Sequence, residues 1–215
     1  MDVTAVSGAK ITRYSNVCGI GGKNTNIAKG VVTNAPGADF EVANGVATGL
    51  ELVGNGTVPR SAFWLYSGIT ATDASITSGG SLYLAGASAV GVDLYGSAAK
   101  VAHLWVSNAG ASDVRMSSGG YLFLSAGAKV QNVTMTSGGS IFMSGNSATV
   151  VSGLSMAYAG TATLSSGTVT GLSMTSGGAV TVRGPHRQRS LVDYSPRGHK
   201  ELERTERLST AHLSE

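Results

Sequence analysis

A chain of 215 residues is enough for one domain of ordinary size, and 31 Gly with only 4 Pro and no Gly-X-Y period exclude collagen. Charged residues make up 13% of it, about half the usual ~25%, so a sequence this rich in Val, Leu, Thr and Ser is not a solvated coil. The formal charge of +3 divides into 8 Lys/Arg against 7 Asp/Glu over residues 1–182 and 7 against 5 thereafter. That leaves no basic stripe for phosphates and argues against a nucleic-acid partner.

The first segment, residues 1–70, alternates small polar and apolar residues between Gly or Asn turns, as in GKNTNIAKGVVTNAPGADFEVANGVATGLELVGNGTV. It reads as irregular β coils or as a cap that closes a core against water. Its opening, MDVTAVSGAK, lacks the basic-then-apolar layout of a signal peptide. No run of about 20 apolar residues follows, so no membrane insertion by this chain is expected. The lone Cys18 has no partner for an intramolecular disulfide and reads as a loop thiol. Cys18–Lys23 resembles a phosphate loop only faintly, because Val17 and Asn24 stand where Gly and Ser or Thr are needed. Phe63, Trp64, Leu65 and Tyr66 form an aromatic cluster, read as a packed plug or bulged strand rather than a ligand platform.

From Ala71 to Val182 the chain repeats. SGGSLYLAGASAVGVDL from Ser78, SGGYLFLSAGAKVQNVTM from Ser118 and SGGSIFMSGNSATVVSGLSM from Ser137 share one grammar. A Gly turn leads into x-Φ-x-Φ, a second small turn, and then Φ-x-x-Φ-x-Φ, where Φ is apolar. Gly120, Gly139, Gly160 and Gly178 mark units of nearly equal length, and the gap from Gly80 to Gly120 is about twice as long, room for two units. A unit this short cannot bury its apolar face alone, so units must stack. Alternation puts Leu122 with Leu124, Ile141 with Met143, and Val133 with Met135 on shared faces. Asn-Gly and Asp-Gly hairpin turns are scarce, which disfavours an antiparallel sandwich. The expected fold is therefore all-β, a right-handed parallel β-helix (β-solenoid) with Leu124, Met143 and Leu164 inward.

Candidate chemistry within the repeats is sparse. Asp73, Asp93 and Asp113 recur at one constant interval; stacked in register they would form a carboxylate ladder for Ca²⁺, and otherwise they are solvated turn residues. His103 has no second His or Cys at ligand spacing and reads as a surface residue. Ser97-Ala-Ala-Lys100 has S-x-x-K spacing without its partner motifs. Asn55-Gly-Thr57 and Asn132-Val-Thr134 fit the glycosylation sequon. No catalytic or other cofactor-binding residues are expected.

After Val182 the composition breaks. Residues 183–215 hold three of the four His and 12 of the 27 charges, and the Gly turns stop. They read as a disordered charged tail foreign to the repeats, with helical propensity over Lys200–Leu208.

The unit at Ser118–Met135 resembles the repeats of AIDA-type autotransporter adhesins, clearly over residues 71–182 and loosely over 1–182. The resemblance implies a passenger β-helix exported through an outer-membrane barrel and displayed at the bacterial cell surface or outside the cell. It further implies adhesion to a host-surface glycan or protein, or self-association. The export signal and the translocator barrel are expected to lie outside these residues. The tail RSLVDYSPRGHKELERTERLSTAH resembles a translated short interspersed repeat of ruminant genomes, which implies a chimeric reading frame rather than an evolved function. A polysaccharide-cleaving β-helix enzyme, or a frame with no function, are the rival readings; the few acidic residues, thinly spread over 1–182, weigh against the enzyme.

Overall fold

In the computed structural model the chain is all-β, and the strands form parallel sheets wound as a solenoid of about six turns. The structure describes residues 46–53, 62–77, 79–174 and 177–183, together with isolated strands on either side. The leading strands are β1 (Val3–Thr4), β2 (Lys10–Ile11), β3 (Asn26–Ile27), β4 (Gly30–Thr33), β5 (Asp39–Val42), β6 (Val46–Thr48) and β7 (Leu50–Val53). Six two-strand coils follow. They are β8 (Ala62–Tyr66) with β9 (Thr70–Thr77), β10 (Ser81–Ala85) with β11 (Ser88–Tyr95), and β12 (Ala102–Ser107) with β13 (Gly110–Met116). Next come β14 (Gly120–Ser125) with β15 (Lys129–Met135), β16 (Ser140–Ser144) with β17 (Val150–Met156), and β18 (Thr161–Ser166) with β19 (Thr168–Met174). The last described strands are β20 (Ala179–Val182), β21 (Val192–Pro196) and β22 (Leu202–Glu203).

Odd- and even-numbered strands of the coils segregate. β9, β11, β13, β15, β17 and β19 build one sheet, here the bend sheet; β8, β10, β12, β14, β16, β18 and β20 build the other, the ladder sheet. Every ladder in both sheets is parallel, as the repeat grammar predicts. Leu82 pairs with Leu104, and Leu104 with Leu122, so the first of these coils is the longer. Its extra length is taken up in the turn between β11 and β12. The double-length interval from Gly80 to Gly120 thus holds two full coils.

The core lies between the sheets. Phe63, Leu82, Leu104, Leu122, Ile141, Ala162 and Val180 form one inward column of the ladder sheet, and Leu65, Leu84, Val106, Leu124, Met143 and Leu164 form the next; all are buried. The bend sheet answers with Ala74, Val92, Val114, Val133, Leu154 and Leu172, and with Ile76, Leu94, Met116, Met135, Met156 and Met174. Leu124, Met143 and Leu164 point inward as expected, at 1% exposure or less.

The Φ-x-x-Φ spacing breaks simple alternation, and the backbone shows why. In β9 both Ala71 and Ala74 are buried, because Asp73 between them turns left-handed at φ 55°. The equivalent residue of each later coil does the same: Gly91 (69°), Asp113 (55°), Asn132 (53°), Gly153 (69°) and Gly171 (62°). Upstream, Gly49 at 58° separates β6 from β7, which both pair with β9 around Asp73. Only Gly, Asn and Asp visit this region readily, and the column contains nothing else.

Two boundaries differ from the expectation. Of the two readings for residues 1–70, irregular β coils or a cap, the described strands follow the first, pairing in parallel within both sheets, and the first regular coil begins at Ala62 rather than Ala71. In the tail, Val192–Pro196 pairs with β19 and Leu202–Glu203 with β20, so Leu202 and Glu203 are strand where the sequence predicts helix. An open coil presents unpaired N–H and C=O groups that any extended segment satisfies, whereas so short a helix is marginal in water. The other residues of 184–215 lie outside the described ones.

Two measurements test this packing. Leu124→Ala is expected to cost about 2–5 kcal/mol in chemical denaturation, and Leu124→Asp to abolish the cooperative melt. At the bend, Asn132→Gly is expected to stay within about 1 kcal/mol of the parent, while Asn132→Val, β-branched at positive φ, loses about 1–3 kcal/mol.

Candidate functional site

The three aspartates do not make one ladder. Asp73 and Asp113 belong to the bend column, two coils apart with Gly91 between them. Asp93 stands two positions further along its strand, paired with Ser75 on one side and Arg115 on the other. Their constant interval mixes two columns, because the two coils that separate them differ in length: Ser88 pairs back with Thr70 but forward with Gly110. Asp93 Oδ1 accepts a hydrogen bond from Arg115 Nε at 2.7 Å. That bond and the charge of Asp93 raise the Arg115 pKa. Asp113 Oδ1 accepts from Asn132 Nδ2 at 3.0 Å. Among the described residues no group of three or more His, Cys, Asp or Glu is placed to hold a metal ion.

The remaining candidates are dispersed. Ser97 Oγ accepts from the Lys100 backbone N–H at 3.1 Å, which closes an exposed turn. Asn132 of the second sequon is exposed at the bend. Cys18, the 18–23 segment and the 55–57 sequon lie outside the described residues. His103, expected at the surface, is 6% exposed. It points outward from the ladder sheet but stands in register between Ser81 and Tyr121, and its ring packs 5.5 Å from that of Tyr121. Neighbouring rings, not the core, bury it.

Those rings belong to a feature that the repeat grammar hid. The outward position between the two inward columns of the ladder sheet is Trp64, Tyr83, Trp105, Phe123 and Phe142 in five successive coils. Consecutive centroids are 4.2, 5.4, 4.3 and 5.4 Å apart. Three of the four pairs lie within 21° of parallel, and Trp105 with Phe123 is tilted at 43°. In the three stacked pairs the rings turn their faces to one another along the column, with edges outward. The Phe63–Tyr66 cluster is the start of this ladder: β8 is a regular strand with Phe63 and Leu65 inward, and Trp64 and Tyr66 outward. Trp64 also stacks against Tyr66 at 6.5 Å. Stacked pairs of this kind each add ~0.5–1.5 kcal/mol beyond area burial. Past Phe142 the column continues as Thr163 and Thr181.

Charge is segregated the opposite way. From Ala62 to Val182 the ladder-sheet strands contain no Asp, Glu, Lys or Arg. The charged residues of the coil strands, Asp73, Asp93, Asp113, Arg115 and Lys129, are all on the bend sheet. The neutral run begins after β5, where Asp39 and Glu41 hold the register positions of Ala62 and Trp64. Beside the rings lie small residues, Ala85, Ser107 and Ser125. Trp105 Nε1 and Ser81 Oγ are shielded and find no hydrogen-bond partner among the described residues. The result is a half-buried aromatic strip on a face without Asp, Glu, Lys or Arg, flanked by hydroxyl-bearing residues such as Ser107, Ser125, Tyr121 and Ser140.

Comparison with family models, with curated proteins and with solved structures finds no match.

Adding Ca²⁺ is expected to leave the melting temperature unchanged, since Arg115 occupies Asp93 and a coil separates Asp73 from Asp113. A rise reversed by chelation would show that the aspartates gather around the ion after all.

Proposed function

We propose that this chain is a non-catalytic binding module, the displayed solenoid of a bacterial surface adhesin, and that the ladder sheet is its contact face. The observation that carries the reading is the aromatic strip from Trp64 to Phe142 on strands without a charged residue. Core packing does not need rings on the outside, because the inward columns are complete without them. Contiguous apolar strips left part-exposed at a protein surface mark contact sites. The resemblance of Ser118–Met135 to autotransporter passenger repeats supports the same reading and is in keeping with a module at the cell surface or outside the cell. A polysaccharide-cleaving enzyme would need acids or bases gathered on one face. The acidic residues of the coils are instead spread along the bend sheet, one to a strand.

Displayed on a non-adherent bacterium behind a translocator barrel, the chain is expected to make cells bind a surface or one another. Trp105→Ser is expected to weaken that binding about tenfold, in line with the loss of an aromatic anchor. Release of new reducing ends from a polysaccharide panel would overturn the reading in favour of the enzyme.

A further inference from the structure

We infer that the ring column of the ladder sheet is a one-electron relay, carrying an oxidising equivalent from Trp105 by way of Tyr83 and Trp64 to the phenol of Tyr66. The inference does not rest on the reading of that sheet as a contact face. Indole and phenol are the rings that a radical oxidant attacks first, whereas a phenyl ring gives up an electron far less readily. The column is divided along that line. Trp64, Tyr83 and Trp105 fill its first ring positions, and Phe123 and Phe142 fill the last. Both tryptophans of the chain are in it.

The geometry suits transfer between these rings. Trp64 and Tyr83 are 4.2 Å apart and 21° from parallel, and Tyr83 and Trp105 are 5.4 Å apart and 7° from parallel. Rings stacked in this way overlap their π-systems, so an electron passes from ring to ring without crossing other groups. Trp64 leads on to Tyr66, whose ring lies 6.5 Å away and 14° from parallel.

The relay also has a direction. From Trp105 the next ring on one side is Phe123, which resists oxidation, as does the flanking His103 imidazole at 6.5 Å. Proton loss does not trap the vacancy on Trp105, because Nε1 is shielded and has no acceptor among the described residues. The ladder-sheet strands from Ala62 to Val182 offer no carboxylate to take that proton either. At the other end Tyr66 is 37% exposed, and its phenol gives its proton to water as it is oxidised. Glu41, anionic at neutral pH, holds the register position of Trp64 in β5 and draws positive charge toward that end.

Electrons and protons balance. An oxidant of the oxygen- or carbonate-radical class takes one electron from Trp105 and leaves as its anion. Electrons move down the column from Tyr66, by way of Trp64 and Tyr83, to refill Trp105. Tyr66 is left as a neutral phenoxyl radical with its proton in water. A small reductant of the enediol class then returns one electron, and one proton from water restores the phenol. The relay spares the core. Met116, Met135, Met143, Met156 and Met174 are buried there, and a polar sulfoxide at any of them would disrupt an inward column.

The test uses the full chain with Cys18 replaced by Ser, so that no thiol intercepts the oxidant. Flash-generated azide radicals oxidise the indoles, and transient absorption follows the indolyl and phenoxyl radicals. The indolyl signal is expected to decay into phenoxyl at a rate independent of protein concentration. A nitroso spin trap, located by mass spectrometry, is expected on Tyr66. Tyr83→Phe keeps a ring in the column but removes the middle station. It is expected to leave part of the indolyl signal long-lived and to lower the yield of trapped Tyr66. Tyr158→Phe, at a 69% exposed position outside the column, is expected to change neither. Thermal melts confirm the fold of each variant. Should Tyr83→Phe fail to fold, Trp64→Phe replaces it and is expected to leave the Trp105 radical long-lived.

A decay rate that rises in proportion to protein concentration overturns the inference, because transfer would then run between molecules. Trapping led by Tyr158, more exposed than Tyr66, overturns it too, since exposure alone would then set the site. An unchanged signal in the Tyr83→Phe variant does the same, and each of these results leaves the contact-face reading standing.

Discussion

Each residue of a coil lies about 4.8 Å from its own equivalent in the next coil, so every column is selected against itself. An inward column must be apolar at every level, because one unpaired charge would be dry on both sides. The bend column must tolerate left-handed backbone at every level, and Gly49, Asp73, Gly91, Asp113, Asn132, Gly153 and Gly171 all do. Even their side chains fit the stack. The Asn132 amide donates to Asp113 one coil before it, and a Cβ added at Gly153 would meet Asn132 Oδ1 at 3.2 Å. A longer residue at that level would push against the coil beneath.

The same constraint makes an outward column either a liability or a surface. Like charges stacked at this spacing repel, and the bend sheet avoids that by placing Arg115 directly above Asp93. Aromatic rings stacked at this spacing attract, and the ladder sheet repeats them through five coils. The two faces of one solenoid thereby acquire different chemistry from one backbone. The bend face carries the charges of the coil strands and the Asp93–Arg115 pair, while the neutral ladder face carries half-buried rings.

Much of the fold was legible because periodicity reports burial directly. The x-Φ-x-Φ runs of SLYL, YLFL and SIFM give the ladder strands, and the glycine spacing gives the coil. Even Φ-x-x-Φ carried the bend, since Gly, Asn or Asp fills its second x in all six coils from Thr70 to Met174. The site was harder to see. Attention to Φ discards x, and the aromatic ladder is made of x: Tyr83 between Leu82 and Leu84, Phe123 between Leu122 and Leu124, Phe142 between Ile141 and Met143. Aligning the units column by column would have exposed it. The aspartate ladder failed for a related reason. A constant interval signals one column only if every coil has that same length, and these coils alternate between shorter and longer.

The central claim is the register itself, and a pair of cysteines reads it directly. Thr134 and Ser155 are outward partners on adjacent strands β15 and β17, a Cα separation of ~4.8 Å that lies inside the range a disulfide spans. With Cys18 replaced by Ser, the variant Thr134→Cys/Ser155→Cys is expected to close an intramolecular disulfide on mild oxidation and to keep the parent's sheet signal. Thr134→Cys/Ser152→Cys is expected to stay reduced under the same conditions, because Ser152 pairs with Gln131, well along the strand from Thr134. Closure of the second pair in preference to the first, or of neither, would contradict the parallel in-register stack on which the columns, the bend and the aromatic face all depend.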